Sequence, residues 1–291
     1  MIPGALLGSL VDSSALLGDG PALQSALAEH GYLLLRGAIG RGTALSARRE
    51  VLARLAQVGE IDLPAETFSG NSQRTEMMGD SGQFLRSVCD DPRLRAATGS
   101  EQSSNIISDV FGEPARGHNY IYLRVATPGR GTAVHRDYPF FTRATERVLT
   151  CWLCLGNLEY EQGALYVVEE SHHWEQLIND IRGLDLARDT TGRQATLSDD
   201  ITQYAKAHNT RLLTAKFNAG DILLFDMNLI HGAFDHQAPD KPVRLSCDVR
   251  WQPISEPFDP RYMALDLGGT FGGGYGELNA AKPLTEDWHK R

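Results

Sequence analysis

What the chain lacks already narrows what it can be. No apolar run is long enough to cross a bilayer. The opening MIPGALLGSLVDSSALLGDG has neither a basic stretch nor a clean cleavage site, so it does not read as a secretion signal, and a cytoplasmic enzyme is expected. Basic clusters are missing too: 28 Lys and Arg stand against 37 Asp and Glu, a formal net charge of −9. A duplex-binding protein carries a basic face, so nucleic acid is not an expected partner, and neither is a membrane. There are no internal repeats and no break in composition that marks a second domain. Cysteine is scarce, with only Cys89, Cys151, Cys154 and Cys247. Cys151 and Cys154 form a CxxC, but CWLCLG reads as a strand, and residues three apart on a strand point to opposite faces. These thiols are expected to be buried, reduced and structural, as is usual in the cytosol.

What is present falls into two textures. Up to about residue 115 the patterning is largely helical. ALQSALAEH and GTALSARREVLARLAQVG place apolar residues at helical spacing, 84–111 looks helical again, and GYLLLRGAI (31–39) reads as a short strand between glycines. From about 116 to 252 the chain breaks into short strand-like runs separated by Gly, Pro, Asp and Asn: NYIYLRVAT, ERVLTCWLCLG, ALYVVEE, RLLTAKF, DILLFDMNLI and VRLSCDVRWQP. A polar, partly helical insertion covers 174–208. Many short strands with mixed connections predict a β-barrel or jelly roll, so the expected fold is mainly β with flanking helices. The expected organisation is one domain over 1–291, closed by a tail at 253–291. That tail holds GGTFGGGYG, which has neither the preceding strand nor the following helix of a phosphate loop. The polar segment 62–80 and the tail are candidate lids.

Three short stretches carry the chemistry. In GTAVHRDYPFF, His135 and Asp137 are two apart, so on a strand an imidazole and a carboxylate face one side. An HxD pair by itself is more often structural. In GDILLFDMNLIHGAF, counting back from His231 in twos gives Leu229, Met227, Phe225 and Leu223, a uniformly apolar row that puts His231 on the inward face. A satisfied core histidine is the plain alternative. In PVRLSCDVRW, Arg244 and Ser246 share a strand face, on a strand that can neighbour that of His231. The alternative is a surface arginine on an edge strand. Asp248 and Arg250 share their parity, either as substrate contacts or as a salt bridge between strands.

Taken together the three stretches say more than any one. Two histidines and a carboxylate form the facial triad of non-haem Fe(II) oxygenases, which leaves open coordination positions. A bidentate 2-oxo acid can fill two of these and O2 the third. An arginine fork suits the far carboxylate of such an acid. The other readings are a triad oxygenase that works without 2-oxoglutarate, a metal- or ligand-binding barrel without catalysis, and a jelly-roll interaction module.

The same residues resemble the phytanoyl-CoA dioxygenase-like family of 2-oxoglutarate oxygenases. The likeness starts faintly at EHGYLLLRGAI and is clearest over about 119–252. HRD (135–137) looks like the family's HxD iron motif. GALYVVEESHHW (163–174) looks like its GxLxVxPGSH segment, with Glu169-Glu170 in place of Pro-Gly. GDILLFDMNLIHGA is similar to the strand with the distal histidine, and RLS (244–246) to the Arg-x-Ser co-substrate anchor. The resemblance implies a double-stranded β-helix core behind N-terminal helices, with Fe(II) held by His135, Asp137 and His231. It implies 2-oxoglutarate held by Arg244 and Ser246, and places Trp152 and Tyr122 along the co-substrate pocket. His172 and His173 are read as loop residues. The implied activity is O2-dependent oxidation, by default hydroxylation, of a small organic molecule. A specialised metabolite is preferred, with an acyl-CoA or amino-acid-like substrate as the alternative. Related halogenases lack the carboxylate that Asp137 supplies, so halogenation is not expected.

Overall fold

The computed structural model describes residues 2–57, 59–69, 88–126, 128–129, 131–186 and 195–263. The glycine-rich segment of the tail and residues 70–80 of the proposed lid lie outside these. Among the described residues no helix is long and apolar enough to cross a membrane.

The strands are β1 (Leu7–Ser9), β2 (Tyr32–Leu35), β3 (Ile61–Asp62), β4 (Thr67–Phe68), β5 (Ala115–Ala126), β6 (Thr132–His135), β7 (Leu149–Cys154), β8 (Leu165–Val168), β9 (Thr196–Ser198), β10 (Leu212–Thr214), β11 (Ile222–Asp226), β12 (His231–Ala233) and β13 (Arg244–Pro253). They build a five-stranded sheet in the order β2-β11-β7-β13-β5 and a six-stranded sheet in the order β1-β10-β8-β12-β6-β9, with β3 and β4 as a separate hairpin. This is the expected double-stranded β-helix. The helices α1 (Gly20–His30), α2 (Arg41–Gln57), α3 (Pro92–Thr98) and α4 (Glu101–Phe111) precede the core. The helical pattern read across 84–111 is broken at Gly99-Ser100, where Ser100 caps α4 by accepting from Ser103 N at 3.0 Å. Likewise α1 starts at a capping Asp19 and stops at Gly31, which takes the left-handed conformation at φ 76°.

Strand alternation divides the interior into two compartments. The outer face of the five-stranded sheet, with Leu33, Leu35, Cys151, Leu153, Ile222, Leu224, Cys247 and Val249, packs on Leu23 of α1, Val51 and Leu55 of α2, Leu94 of α3 and Ile107 of α4. The inner face, with Leu34, Trp152, Cys154, Leu223 and Phe225, packs on Leu165, Val167 and Leu213 of the other sheet. Cys151 and Cys154 therefore do lie in different compartments, and all four cysteines are buried and unbridged. Burial pushes the Cys151 thiol up to about 12, which leaves it inert at neutral pH.

Gly220 closes the turn into β11. Its φ is +94°, and a Cβ there would meet the Ile39 carbonyl oxygen at 2.1 Å. Its N–H donates to Cys154 O at 3.0 Å, and its carbonyl accepts from Ile39 N at 2.9 Å. Gly220→Ala is therefore expected to cost about 2–4 kcal/mol, adding backbone strain to a clash with a fixed carbonyl. Thermal unfolding checks this, and an unchanged Tm counts against it.

Candidate metal and co-substrate site

The strand β13 shows where the chemistry sits. All ten of its residues are buried, yet only one face is apolar. Leu245, Cys247, Val249 and Trp251 face the helices. The alternate residues Arg244, Ser246, Asp248, Arg250 and Gln252 are buried polar groups. A central strand whose inward row is polar and charged must find a partner for each group or hold a ligand.

Two of these inward charges are answered within the protein. Arg124 Nε donates to Asp248 Oδ2 at 2.6 Å, and its guanidinium lies 4.3 Å over the Tyr122 ring. Arg250 Nη2 donates to Asp137 Oδ2 at 2.7 Å, with both side chains almost fully buried. Of the two readings left open for Asp248 and Arg250, the structure gives ion pairs, Arg124–Asp248 between adjacent strands and Arg250–Asp137 to the end of β6.

His135, Asp137 and His231 come together. Each offers a ligand atom, and these atoms lie within 4.8 Å of one another. Cross-strand pairing accounts for the imidazoles: β12 runs antiparallel to β6 with His231 directly opposite His135, and the ring centroids are 4.2 Å apart. His135 Nδ1 is 2.8 Å from Ala133 O, and His231 Nδ1 is 3.0 Å from Leu229 O. Each Nδ1–H is thus used on a carbonyl, and each Nε2 is left as the electron-pair donor, the tautomer a metal ligand needs. Burial lowers the pKa of both, His135 to about 3, so both rings are neutral at pH 7. Burial alone raises the Asp137 carboxyl. Against that, the Arg250 guanidinium and the Thr150 hydroxyl hold it well below the usual carboxylate range. The set is thus two neutral nitrogen donors and one ionised oxygen donor, which fits a divalent iron ion.

Three expectations about how these residues meet need correction. His135 is the last residue of β6, and Asp137 lies beyond it at the helical start of Tyr138–Phe141 (φ −84°, ψ −18°), so they converge through a turn rather than strand alternation. His231 does not continue the strand of Leu223. β11 ends at Asp226, whose Oδ1 accepts from Asn228 N at 2.6 Å and Leu229 N at 2.9 Å, and the chain re-enters as β12 in the other sheet. Nor are β12 and β13 neighbours, since they belong to different sheets.

Arg244 is the unanswered charge. It is 5% exposed, and no acid lies within ion-pair distance of it among the described residues. Its Nη1 donates to Ser246 Oγ at 3.0 Å, its guanidinium sits 5.7 Å from the Trp152 ring centroid, and its Nε has no hydrogen-bond partner among the described residues. Burial and the nearby Arg124 lower its pKa to about 10, so it remains charged. A buried guanidinium in want of an anion is what one carboxylate of 2-oxoglutarate requires. The two aromatic candidates divide: Trp152 contacts Arg244, whereas Tyr122 lies under Arg124. Elsewhere, His172 Nε2 is 3.3 Å from Ala28 O, and His236 Nε2 is 2.7 Å from Pro242 O, so both serve structure. Sequence reasoning missed Thr150, whose Oγ1 donates to Asp137 Oδ2 at 2.6 Å, and Arg124. Both share inward parity, with Trp152 and Tyr122 respectively, and that parity was the available signal.

A double-stranded β-helix enclosing two histidines, one carboxylate and a buried arginine with no ion-pair acid among the described residues defines the class of Fe(II)- and 2-oxoglutarate-dependent oxygenases. The phytanoyl-CoA dioxygenase family model matches residues 27–243, and the chain belongs to that family. The 1-deoxypentalenic acid 11-beta-hydroxylase of Streptomyces exfoliatus is 24% identical over 270 residues, spanning 86% of this chain and 87% of that protein. The protein of the same name from Streptomyces arenae is 23% identical over 264 residues, 84% of this chain and 85% of its own. Among solved structures, the epimerase SnoN in complex with Fe3+, α-ketoglutarate and nogalamycin RO aligns with a TM-score of 0.54 at 17% identity, covering 94% of this chain and 93% of that one. The carbocyclase SnoK from nogalamycin biosynthesis aligns at 0.53 with the same identity, covering 87% and 90%. The two solved structures speak for the fold. This protein is an iron and 2-oxoglutarate-dependent oxygenase.

Proposed function

We propose that His135, Asp137 and His231 hold the iron, that Arg244 and Ser246 hold the far carboxylate of 2-oxoglutarate, and that the chain hydroxylates a specialised metabolite. The observations that support the site are the convergence of two neutral imidazoles and one ionised carboxylate and, on the inward face of β13 that also carries the Asp137 partner Arg250, a buried Arg244 with no ion-pair acid among the described residues. The hydroxylase relatives, whose named substrate is 1-deoxypentalenic acid, support the reaction and a substrate of that general kind.

When bound, iron and 2-oxoglutarate supply the oxidising chemistry, with O2 consumed and succinate and CO2 released. The chain's own residues bind and orient. Ala133 O and Leu229 O fix the imidazole tautomers. Arg244 neutralises a carboxylate in a place from which water is excluded, where the attraction is strongest. Trp152, wholly buried and packed edge-on to Phe217 with ring centroids 4.7 Å apart, walls the apolar side of that pocket.

Metal-free protein given Fe(II) and then 2-oxoglutarate, without oxygen, is expected to develop the weak visible charge-transfer band of an iron-bound 2-oxo acid. His135→Ala is expected to lack it. Succinate release across a metabolite panel then seeks the substrate. Iron binding without a band counts against the co-substrate assignment, and no iron binding counts against the ligand set.

A further inference from the structure

We propose that Arg250, together with Thr150, is a positioning residue that presents Asp137 to the metal through one oxygen only and thereby sets how tightly the site holds its ion. The inference rests on the ligand assignment above and concerns a part of the site that assignment does not explain.

A carboxylate has two equivalent oxygens. Left to itself beside a divalent ion, it can bind through one or turn to bind through both. An oxygenase of this kind needs three open positions, two for the 2-oxo acid and one for O2, and a carboxylate bound through both oxygens takes one of them. Something must therefore make the two oxygens of Asp137 different. In this chain Oδ2 accepts from Thr150 Oγ1 at 2.6 Å and from Arg250 Nη2 at 2.7 Å. Oδ1 lies 3.9 Å from His135 Nε2, on the side where the imidazole donors converge.

The clamp is built from rigid parts. Thr150 and Arg250 are register partners on the adjacent strands β7 and β13, so the hydroxyl and the guanidinium are held at a fixed spacing by the sheet. The Arg250 guanidinium also lies 4.0 Å over the ring of Phe141, in the short helix that begins just after Asp137. It therefore grips the carboxylate and packs against the segment that follows it. At 1% exposure, water cannot substitute for it. Outer partners of this type typically carry 10–100-fold in metal affinity or activity.

The test uses full-length protein, stripped of metal and titrated anaerobically with Co(II), whose visible bands report the ligand set. Arg250→Gln is expected to weaken Co(II) binding by about 10–100-fold and to change the band positions. Arg250→Lys keeps the charge but not the fork, and is expected to recover part of the affinity. Thr150→Val, nearly isosteric and removing one hydrogen bond, is expected to weaken binding a few-fold. Far-ultraviolet circular dichroism and Tm are followed in parallel. A lowered Tm with wild-type Co(II) affinity and wild-type bands in Arg250→Gln overturns the proposal, because Arg250 is then only structural. If Arg250→Gln does not fold, Thr150→Val decides, and unchanged affinity and bands in that variant overturn the proposal equally. Failure of the wild-type protein itself to bind Co(II) would instead remove the ligand assignment on which the proposal stands.

Discussion

Asp137→Ala is expected to abolish 2-oxoglutarate turnover, to destabilise the protein and to respond to formate. The carboxylate is buried between the Arg250 guanidinium and the Thr150 hydroxyl. Its loss leaves Arg250 as a buried charge without its acid, a change worth about 3–5 kcal/mol in comparable cases. It also takes one of three donors from the metal, so activity is expected to fall well beyond the ~10–100-fold carried by outer partners. The space vacated is lined by a guanidinium and a hydroxyl, which suits a small carboxylate. Formate is therefore expected to raise the Tm of the variant and to return part of its metal binding, while leaving the wild-type protein unaffected. Metal content, Tm and 2-oxoglutarate consumption with and without formate measure this. An alanine variant with wild-type turnover would show that Asp137 is not a ligand.

The site was legible in the sequence to different depths, for physical reasons. Residue identity carried most of it: an HxD pair and a distal histidine named three residues whose ligand atoms lie within 4.8 Å of one another, and an Arg-x-Ser named a buried arginine bonded to its own serine. Parity carried the fold where strands are long. On β13 the alternation of Leu245, Cys247, Val249 and Trp251 with Arg244, Ser246, Asp248 and Arg250 is visible in the sequence and holds in the structure. Parity failed where strands are short and end in turns. His135 and Asp137 are two apart but straddle the end of β6. Leu223 and His231 keep parity in number while the Asp226 turn carries the chain into another sheet. Extrapolating a period of two is valid only within one strand, and Asp226-Met227-Asn228 was the available warning, since Asp and Asn accept from backbone N–H groups two residues on. Pairings between distant strands were not legible at all. Nothing local tells Arg250 to choose Asp137, or Arg124 to choose Asp248. The second follows from sheet order, which places β13 beside β5, and the first from the way the two sheets face each other, which brings the turn after β6 onto the inward row of β13.

Arg244→Met is the change whose two effects should have opposite signs. In most buried ion pairs, truncating one partner costs both stability and function, because the other charge is stranded. Among the described residues Arg244 has no acid to strand. Burial and the repulsion of Arg124 outweigh the attraction of Asp248, which is itself paired with Arg124, and with a pKa of about 10 Arg244 stays protonated at neutral pH. In the absence of 2-oxoglutarate the protein therefore carries an uncompensated buried charge, and Met, of similar length and apolar, removes it. The variant without co-substrate is expected to be as stable as the wild type or more stable by about 1–3 kcal/mol. Affinity for 2-oxoglutarate should move the other way. A buried charged hydrogen-bonding partner is worth about 2–5 kcal/mol to a bound carboxylate, which at about 1.4 kcal/mol per decade is roughly 30- to several thousand-fold. The wild type should accordingly gain Tm when metal-loaded protein is given saturating 2-oxoglutarate, about 2.7 kcal/mol at a hundred times Kd, and the variant should gain little at the same concentration. Thermal unfolding with and without 2-oxoglutarate, together with the co-substrate KM, separates the cases. A variant that is less stable without the co-substrate yet binds it normally would make Arg244 a structural residue. A variant that gains stability and loses affinity would mean the fold tolerates a buried, unpaired cation because its partner arrives with the co-substrate.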